Sequence, residues 1–239
     1  MTNMNETHTK TILVLANSIK KYPSRCVAGI EMIHVEGEYE FGNWIRPVDP
    51  SQNEGALPLS RTMVNGHPAE PLQVVNMLFS GPSNDPNHPE DWNLQPNTQW
   101  EFVGQYDHKV LARLPDQQDD LWGAESAARR CVPAGTANNT LRLVKPKDLV
   151  LFEAYHEYNG AIQKDQFKKF LTISCSGARH EFSVTDPVFE ARHGISPGNV
   201  KKGDRFKLEL PPEGLAIVVS LTPPFNGYQY KIAATVIEP

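Results

Sequence analysis

The residues best equipped for chemistry lie near the start of the chain. Asn17, Ser18, Lys20, Lys21, Ser24 and Arg25 form a polar, basic stretch between two apolar runs. Gly42-Asn43-Trp44-Ile45-Arg46-Pro47 then sets an aromatic ring and a guanidinium two residues apart, on one side of an extended strand. Rings stack on nucleobases, while lysine and arginine neutralise phosphate. Asn17, Ser18, Lys20, Lys21, Arg25, Trp44 and Arg46 are therefore the candidate nucleic-acid-binding set. The same spacing also suits a core tryptophan followed by an arginine that ends its strand in solvent. A stacking platform needs an exposed ring, and exposure is not readable from one sequence.

Other constellations are weaker. Asp186 and Glu190 are four residues apart and would share a helix face, as metal-binding carboxylates sometimes do. Asp186 is followed by Pro187, however, and a carboxylate just before a proline marks a helix start. The expectation is a structural cap at Asp186 and no metal. His180 and Cys175 could pair, but a thiol becomes a nucleophile only in an electropositive setting. The sequence holds no G-x-x-x-x-G-K-[ST] phosphate loop, G-x-G-x-x-G, G-x-S-x-G elbow or H-E-x-x-H helix. Cys26, Cys131 and Cys175 are widely separated, with no C-x-x-C, so a zinc site has no support. Isolated thiols suit a reducing compartment, and the expected localisation is cytoplasmic. No cofactor is expected.

The elements that must position these residues read as strands. Ile12–Ala16 suits a strand buried on both faces, and residues 26–48 form a hairpin turning at Gly37. Leu72–Phe79 restores a strand pattern. Residues 80–100, rich in Pro, Asn and Asp and carrying Trp92 and Trp100, read as a long irregular loop. Asp119–Arg130 is the helical candidate of the first half, with acidic residues first and basic residues last. Strands follow at 140–144 and 149–155.

The second half is more regular. A hairpin over 170–185 turns at Ser176-Gly177, and a short helix runs from Asp186-Pro187 to His193. Strands at 205–210, 215–221 and 228–237 complete it, with Asn226-Gly227 marking a tight turn. Tyr228 and Tyr230 share one face and Gln229 and Lys231 the other; the tyrosines are expected inside. Strands, one short helix, then strands is the order of a five-stranded OB-type barrel. The organisation expected is a frayed tail over 1–10, a first barrel-like half over 11–148 with a long insertion, and a second, OB-like half over 149–239. The fold class read from the residues is mainly β with short helices, in two consecutive barrel-like halves packed closely.

Charge limits the readings. Net charge is −5; residues 1–150 carry 13 basic and 18 acidic side chains, and 151–239 carry 10 of each. A strongly basic footprint is absent, so any phosphate-tracking surface must be a local patch, drawn from Lys20, Lys21 and Arg25 or from Lys164, Lys168, Lys169, Lys201, Lys202, Arg205 and Lys207, which otherwise read as solvated faces. Apolar runs such as Leu215–Leu221 fall far short of the roughly 20 residues that span a bilayer, and no membrane partner is expected.

Ile12-Leu-Val-Leu-Ala-Asn-Ser18, Arg25-Cys-Val-Ala-Gly29 and Asn43-Trp-Ile-Arg-Pro47 resemble the opening of the dual OB-containing domain family. Ser183-Val-Thr-Asp-Pro187 and Phe225-Asn-Gly-Tyr-Gln-Tyr-Lys231 are similar to its second half. The resemblance runs from about Thr11 to Ile237. It implies tandem OB-like barrels, a nucleic-acid-binding role in bacteria and, more remotely, a mobile-element or antiphage setting. It singles out Asn17, Ser18, Arg25, Cys26, Gly29, Trp44, Arg46 and Asp186, and brings no catalytic residues. Three readings stand open. The leading one is a non-catalytic module for single-stranded nucleic acid or flipped or modified bases. A protein-interaction subunit docking a larger enzyme is the second, and a nucleotide-processing enzyme with its site between the halves the third.

Overall fold

The structure, a computed structural model, describes residues 7–117, 121–123, 130–160, 164–175 and 177–239. The chain divides into two compact units, Met1–Pro115 with Gly135–Leu141 and Asp116–Ala134 with Arg142–Pro239.

In the first unit the strands are β1 (His8–Lys21), β2 (Ser24–Val35), β3 (Glu38–Val48), β4 (Met63–Val64), β5 (His67–Pro68), β6 (Gln73–Pro82), β7 (Asp91–Leu94) and β8 (Glu101–Gln105). β1, β2, β3, β7 and β6 pair in that order, and β1 also pairs with β6, which closes a five-stranded barrel. Its β3–β7 pairing is parallel and the others are antiparallel. Closure requires β1 to serve two neighbours. His8–Leu13 pair with β6 and Ile12–Lys21 with β2, and a register shift between Val14 and Ala16 bends the strand. Gly29 lets the two strands approach, because a Cβ there would lie 2.2 Å from the Leu13 carbonyl oxygen. Ile12, Val14, Val27, Ile45, Val75, Met77, Phe79 and Leu94 fill the interior.

The irregular segment expected over 80–100 is interrupted by a strand, with 83–90 and 95–100 irregular on either side of it. The strand is β7, which closes the barrel between β3 and β6. β7 has four residues, Asp-Trp-Asn-Leu, too short and too polar to show a period of two. Trp92 packs edge-on against Phe79 and His8, and Trp100 is buried.

The second unit contains β9 (Cys131–Pro133), β10 (Leu141–Val144), β11 (Val150–Asn159), β12 (Lys164–Cys175), β13 (Ala178–Val184), β14 (Arg205–Leu210), β15 (Ala216–Leu221) and β16 (Tyr228–Ile237). Their order is β10-β15-β16-β13-β12-β11-β14, with β9 beside β16. The β13–β16 pairing is parallel, as β3–β7 is in the first unit. The two tasks of β1 are divided here: β10 pairs with β15, and β11 with β12. Residues 145–149, which include Pro146, separate them. The helix expected over Asp119–Arg130 falls largely outside the described residues.

The short helix Pro187–Arg192 starts as Asp-Pro implies. Asp186 Oδ1 accepts from the backbone N–H of Val188 at 2.9 Å and of Phe189 at 3.1 Å. Its Oδ2 accepts from Val236 N–H at 2.8 Å, so one carboxylate caps the helix and ties it to β16. Burial pushes the Asp186 pKa up against these three donors. The expected inward tyrosines are corrected: Tyr228 and Tyr230 are 38% and 39% exposed, whereas Gln229 and Lys231 are buried. Polar partners make the inverted face tolerable, because Gln229 donates to the Thr222 carbonyl at 3.1 Å and Lys231 Nζ lies 3.5 Å from His180 Nδ1.

Mainly β structure, two short α-helices among the described residues and a closed five-stranded barrel make these OB-like folds. No described helix is long and apolar enough to cross a membrane.

Candidate functional site

The seven candidates of the first unit do not assemble into an exposed face. Trp44 is 7% exposed and Arg46 4%, because β3 is covered on both sides from Trp44 to Val48. Arg46 is clamped instead: its Nε and Nη2 donate to Asp91 Oδ1 and Oδ2 at 2.5 and 2.8 Å. Burial is the largest single effect and lowers the Arg46 pKa, but the charge and hydrogen bonds of Asp91 together with the nearby Glu90 outweigh it and hold the guanidinium more firmly protonated than usual. Asn17 and Ser18 are buried, donating to the backbone carbonyls of Ala69 at 2.7 Å and Cys26 at 3.3 Å. Lys20 lies 3.4 Å from the Glu54 carboxylate and donates to the Glu54 carbonyl. Arg25 is half-buried, and its backbone pairs both ways with Leu57. Lys21 alone of the seven is exposed.

Next to the Arg46–Asp91 clamp lies a second buried polar group. Thr140 Oγ1 donates to Glu90 Oε1 and meets His88 Nδ1 at 2.9 Å. Burial first, then the charges of Arg46 and Lys20, push the His88 pKa down to about 2. The hydroxyl proton is already given to Glu90, so the neutral ring presents Nδ1–H to Thr140. With all three side chains buried, this network pins residues 135–141 to the first barrel rather than serving a substrate.

The second unit displays what the first buries. Phe152, Ala154, Leu171 and Phe182 point into the core, so their strand neighbours point outward. Registers place Tyr155 between Lys168 of β12 and Arg205 of β14, and Glu153 between Phe170 and Lys207. The Tyr155 and Phe170 ring centroids are 6.2 Å apart. Arg205 lies 4.1 Å over the Tyr155 ring and Arg130 4.7 Å over Phe170. Arg130 also pairs with Glu181 and accepts at its backbone oxygen from Lys231 N–H at 2.9 Å, which brings it beside the outward Tyr230. The exposed Phe225 sits in the loop between β15 and β16. Glu153 is the acidic residue held between two cations of the patch, 3.3 Å from both Arg205 Nη1 and Lys207 Nζ, while Glu181 pairs with Arg130 and Glu157 lies 3.9 Å from Lys168. Burial would raise the Glu153 pKa, but hydrogen bonds from Lys207 and Arg205 prevail and hold it below the usual carboxylate range.

Sequence reasoning counted Lys168, Arg205 and Lys207 among the cations of a possible local patch but did not join them to Tyr155 and Phe170, although a signal was present. Arg205-Phe-Lys-Leu-Glu-Leu210 alternates charged and apolar residues, which marks an amphipathic strand with a charged outer side. Its neighbours could not be named without the register across β11 and β12.

The other sequence candidates are structural. Glu190 is ion-paired with Lys169, and His180 opposes Ile173 rather than Cys175. Among the described residues, no three His, Cys, Asp or Glu side chains cluster as metal ligands would.

Comparison with curated proteins returns no match. Among solved structures, the chain is similar to a replication protein A heterotrimer bound to ssDNA, at 10% identity and TM-score 0.38, covering 99% of this chain and 50% of that one. It therefore spans about half the length of that protein. It is also similar to the tetrameric p202 HIN2, at 10% identity and TM-score 0.32, covering 98% and 95% of the two chains. A murine DNA-binding protein bound with dsDNA gives 9% identity and TM-score 0.30, covering 98% and 100%. The Dual OB-containing domain model matches residues 10–236, in keeping with the parallel β3–β7 and β13–β16 pairings of the two units, and the chain belongs to that family.

Proposed function

We propose that this protein binds single-stranded nucleic acid, or a base extruded from a duplex, on the outer face formed by β14, β11 and β12. One observation carries the reading: Tyr155 and Phe170 lie together on that face, each beside an exposed arginine, with Lys168 and Lys207 around them. Base stacking on rings is sequence-tolerant, and arginine planes stack as well as neutralise phosphate. OB folds bind oligonucleotides on the second and third strands and on the loops flanking them. In the second unit those strands are β12 and β13, and one of those loops carries Phe225. A local basic patch on a chain of net charge −5 implies modest, salt-sensitive affinity.

Fluorescence anisotropy with labelled single-stranded oligonucleotides tests the reading. Tyr155→Ala with Phe170→Ala should weaken binding by about 1–3 kcal/mol per lost stacking partner. Arg205→Ala with Lys207→Ala should weaken it and make the salt dependence shallower. Absence of binding at low salt, or no change in either double variant, rejects this assignment.

A second reading, protein contact, has its own observation in the first unit. The tip of the β2–β3 hairpin exposes Ile33, Val35 and Tyr39 among Glu36, Glu38 and Glu40. Such a surface repels phosphate and suits a protein partner.

A further inference from the structure

We propose that Glu153 sets a base preference on the β14–β11–β12 face, favouring bases with an exocyclic amino group over thymine and uracil. The inference rests on the nucleic-acid reading above and concerns the same surface.

A carboxylate at the centre of a phosphate-binding patch weakens generic affinity, so its placement asks for another role. Glu153 is flanked across the strands by Phe170 and Lys207, and Tyr155 follows two residues along the same side of β11. Adjacent strands lie about 4.8 Å apart, so a base stacked on Phe170 or Tyr155 brings its edge within reach of this carboxylate. The two carboxylate oxygens are used unequally. Oε1 takes both cations, Arg205 Nη1 and Lys207 Nζ, each at 3.3 Å. No hydrogen bond from a described residue reaches Oε2, while the pair of cations fixes where it points. One oriented acceptor fits one amino donor: N4 of cytosine or N6 of adenine. Thymine and uracil offer O4 at the corresponding position, and two acceptors facing each other repel. The hydrogen bonds from Lys207 and Arg205 keep the group ionised and acceptor-only at neutral pH.

The deciding experiment compares oligo-dC with oligo-dT, two pyrimidine strands, by anisotropy on the full chain. A net hydrogen bond corresponds to about a fivefold preference for dC. Glu153→Gln should bring the two affinities to within about twofold, because the amide also offers an N–H to O4. Lys168→Ala, which removes a cation of this face that does not hold Glu153, serves as the control and should weaken dC and dT alike. Circular dichroism and thermal unfolding of Glu153→Gln confirm that the barrel is intact. Equal binding of dC and dT by the parent protein overturns the proposal, and so does a dC preference that survives in Glu153→Gln. If neither strand binds at low salt, the nucleic-acid reading fails first, a distinct result.

Discussion

Both barrels set arginine, carboxylate and aromatic side chains on the side of the sheet away from the core, but the first buries them and the second leaves them in contact with water. In the first, Arg46 is sealed against Asp91, and His88, Thr140 and Glu90 close a network beside it. In the second, Arg205 lies over Tyr155 and beside Glu153 in partial contact with water. The same groups thus give a clamp in one place and a receptive surface in the other. Burial decides which: a desolvated pair is held by geometry and is costly to break, while an exposed pair exchanges partners at little cost.

The largest effect should come from breaking the clamp. Arg46→Ala leaves Asp91 buried and uncompensated, and should destabilise the first barrel by about 3–5 kcal/mol in urea unfolding. Replacing both partners by apolar residues of similar volume should cost much less. A loss below about 1 kcal/mol for Arg46→Ala would show the pair to be solvated, and the contrast between the barrels would collapse.

Acid comes next. Folded His88 stays unprotonated down to about pH 2, whereas the unfolded chain takes up that proton near 6.5. Between those values the unfolded state holds the extra proton, so stability falls as pH falls, by at most about 1.4 kcal/mol per unit. His180 adds a term of the same sign in the second barrel, where burial and then Lys231 push its pKa down to about 4. His88→Gln should flatten the stability slope measured between about pH 6.5 and pH 4.5. An unchanged slope would mean that His88 is protonated in the native state.

The smallest effect separates the two surfaces. Ile33→Asp with Val35→Asp at the hairpin tip should leave oligonucleotide affinity within about twofold of the parent and change stability by about 0.5 kcal/mol or less. A marked loss of affinity would move the nucleic-acid face to the first barrel.

Features governed by neighbours in the chain were legible in the sequence; features governed by distant strands were not. Asp186-Pro187 acts within three residues, so its cap could be stated at once. The strand limits at 205–210 and 228–237 follow from the turns beside them. Trp44 and Arg46 share a side, as their spacing requires, but the carboxylate that clamps Arg46 comes from the neighbouring strand β7, some 45 residues later in the register Arg46↔Asp91. The Tyr228–Lys231 alternation was plain, yet its direction depends on polar partners at Thr222 and His180. The candidate site was hidden for the same reason: Tyr155, Phe170 and Arg205 meet only through two registers.

The divided strand of the second unit has a consequence for how each barrel tolerates change in length. In the first, Ile12 and Leu13 belong to two ladders at once, opposite Glu31 and Ile30 on β2 and opposite Val75 and Val74 on β6. A residue inserted there would turn side chains inside out along both neighbours. In the second, residues 145–149 stand between the β10 and β11 ladders, so an insertion is absorbed before it reaches the face that carries Tyr155. That barrel can change length at its seam without losing register at its surface.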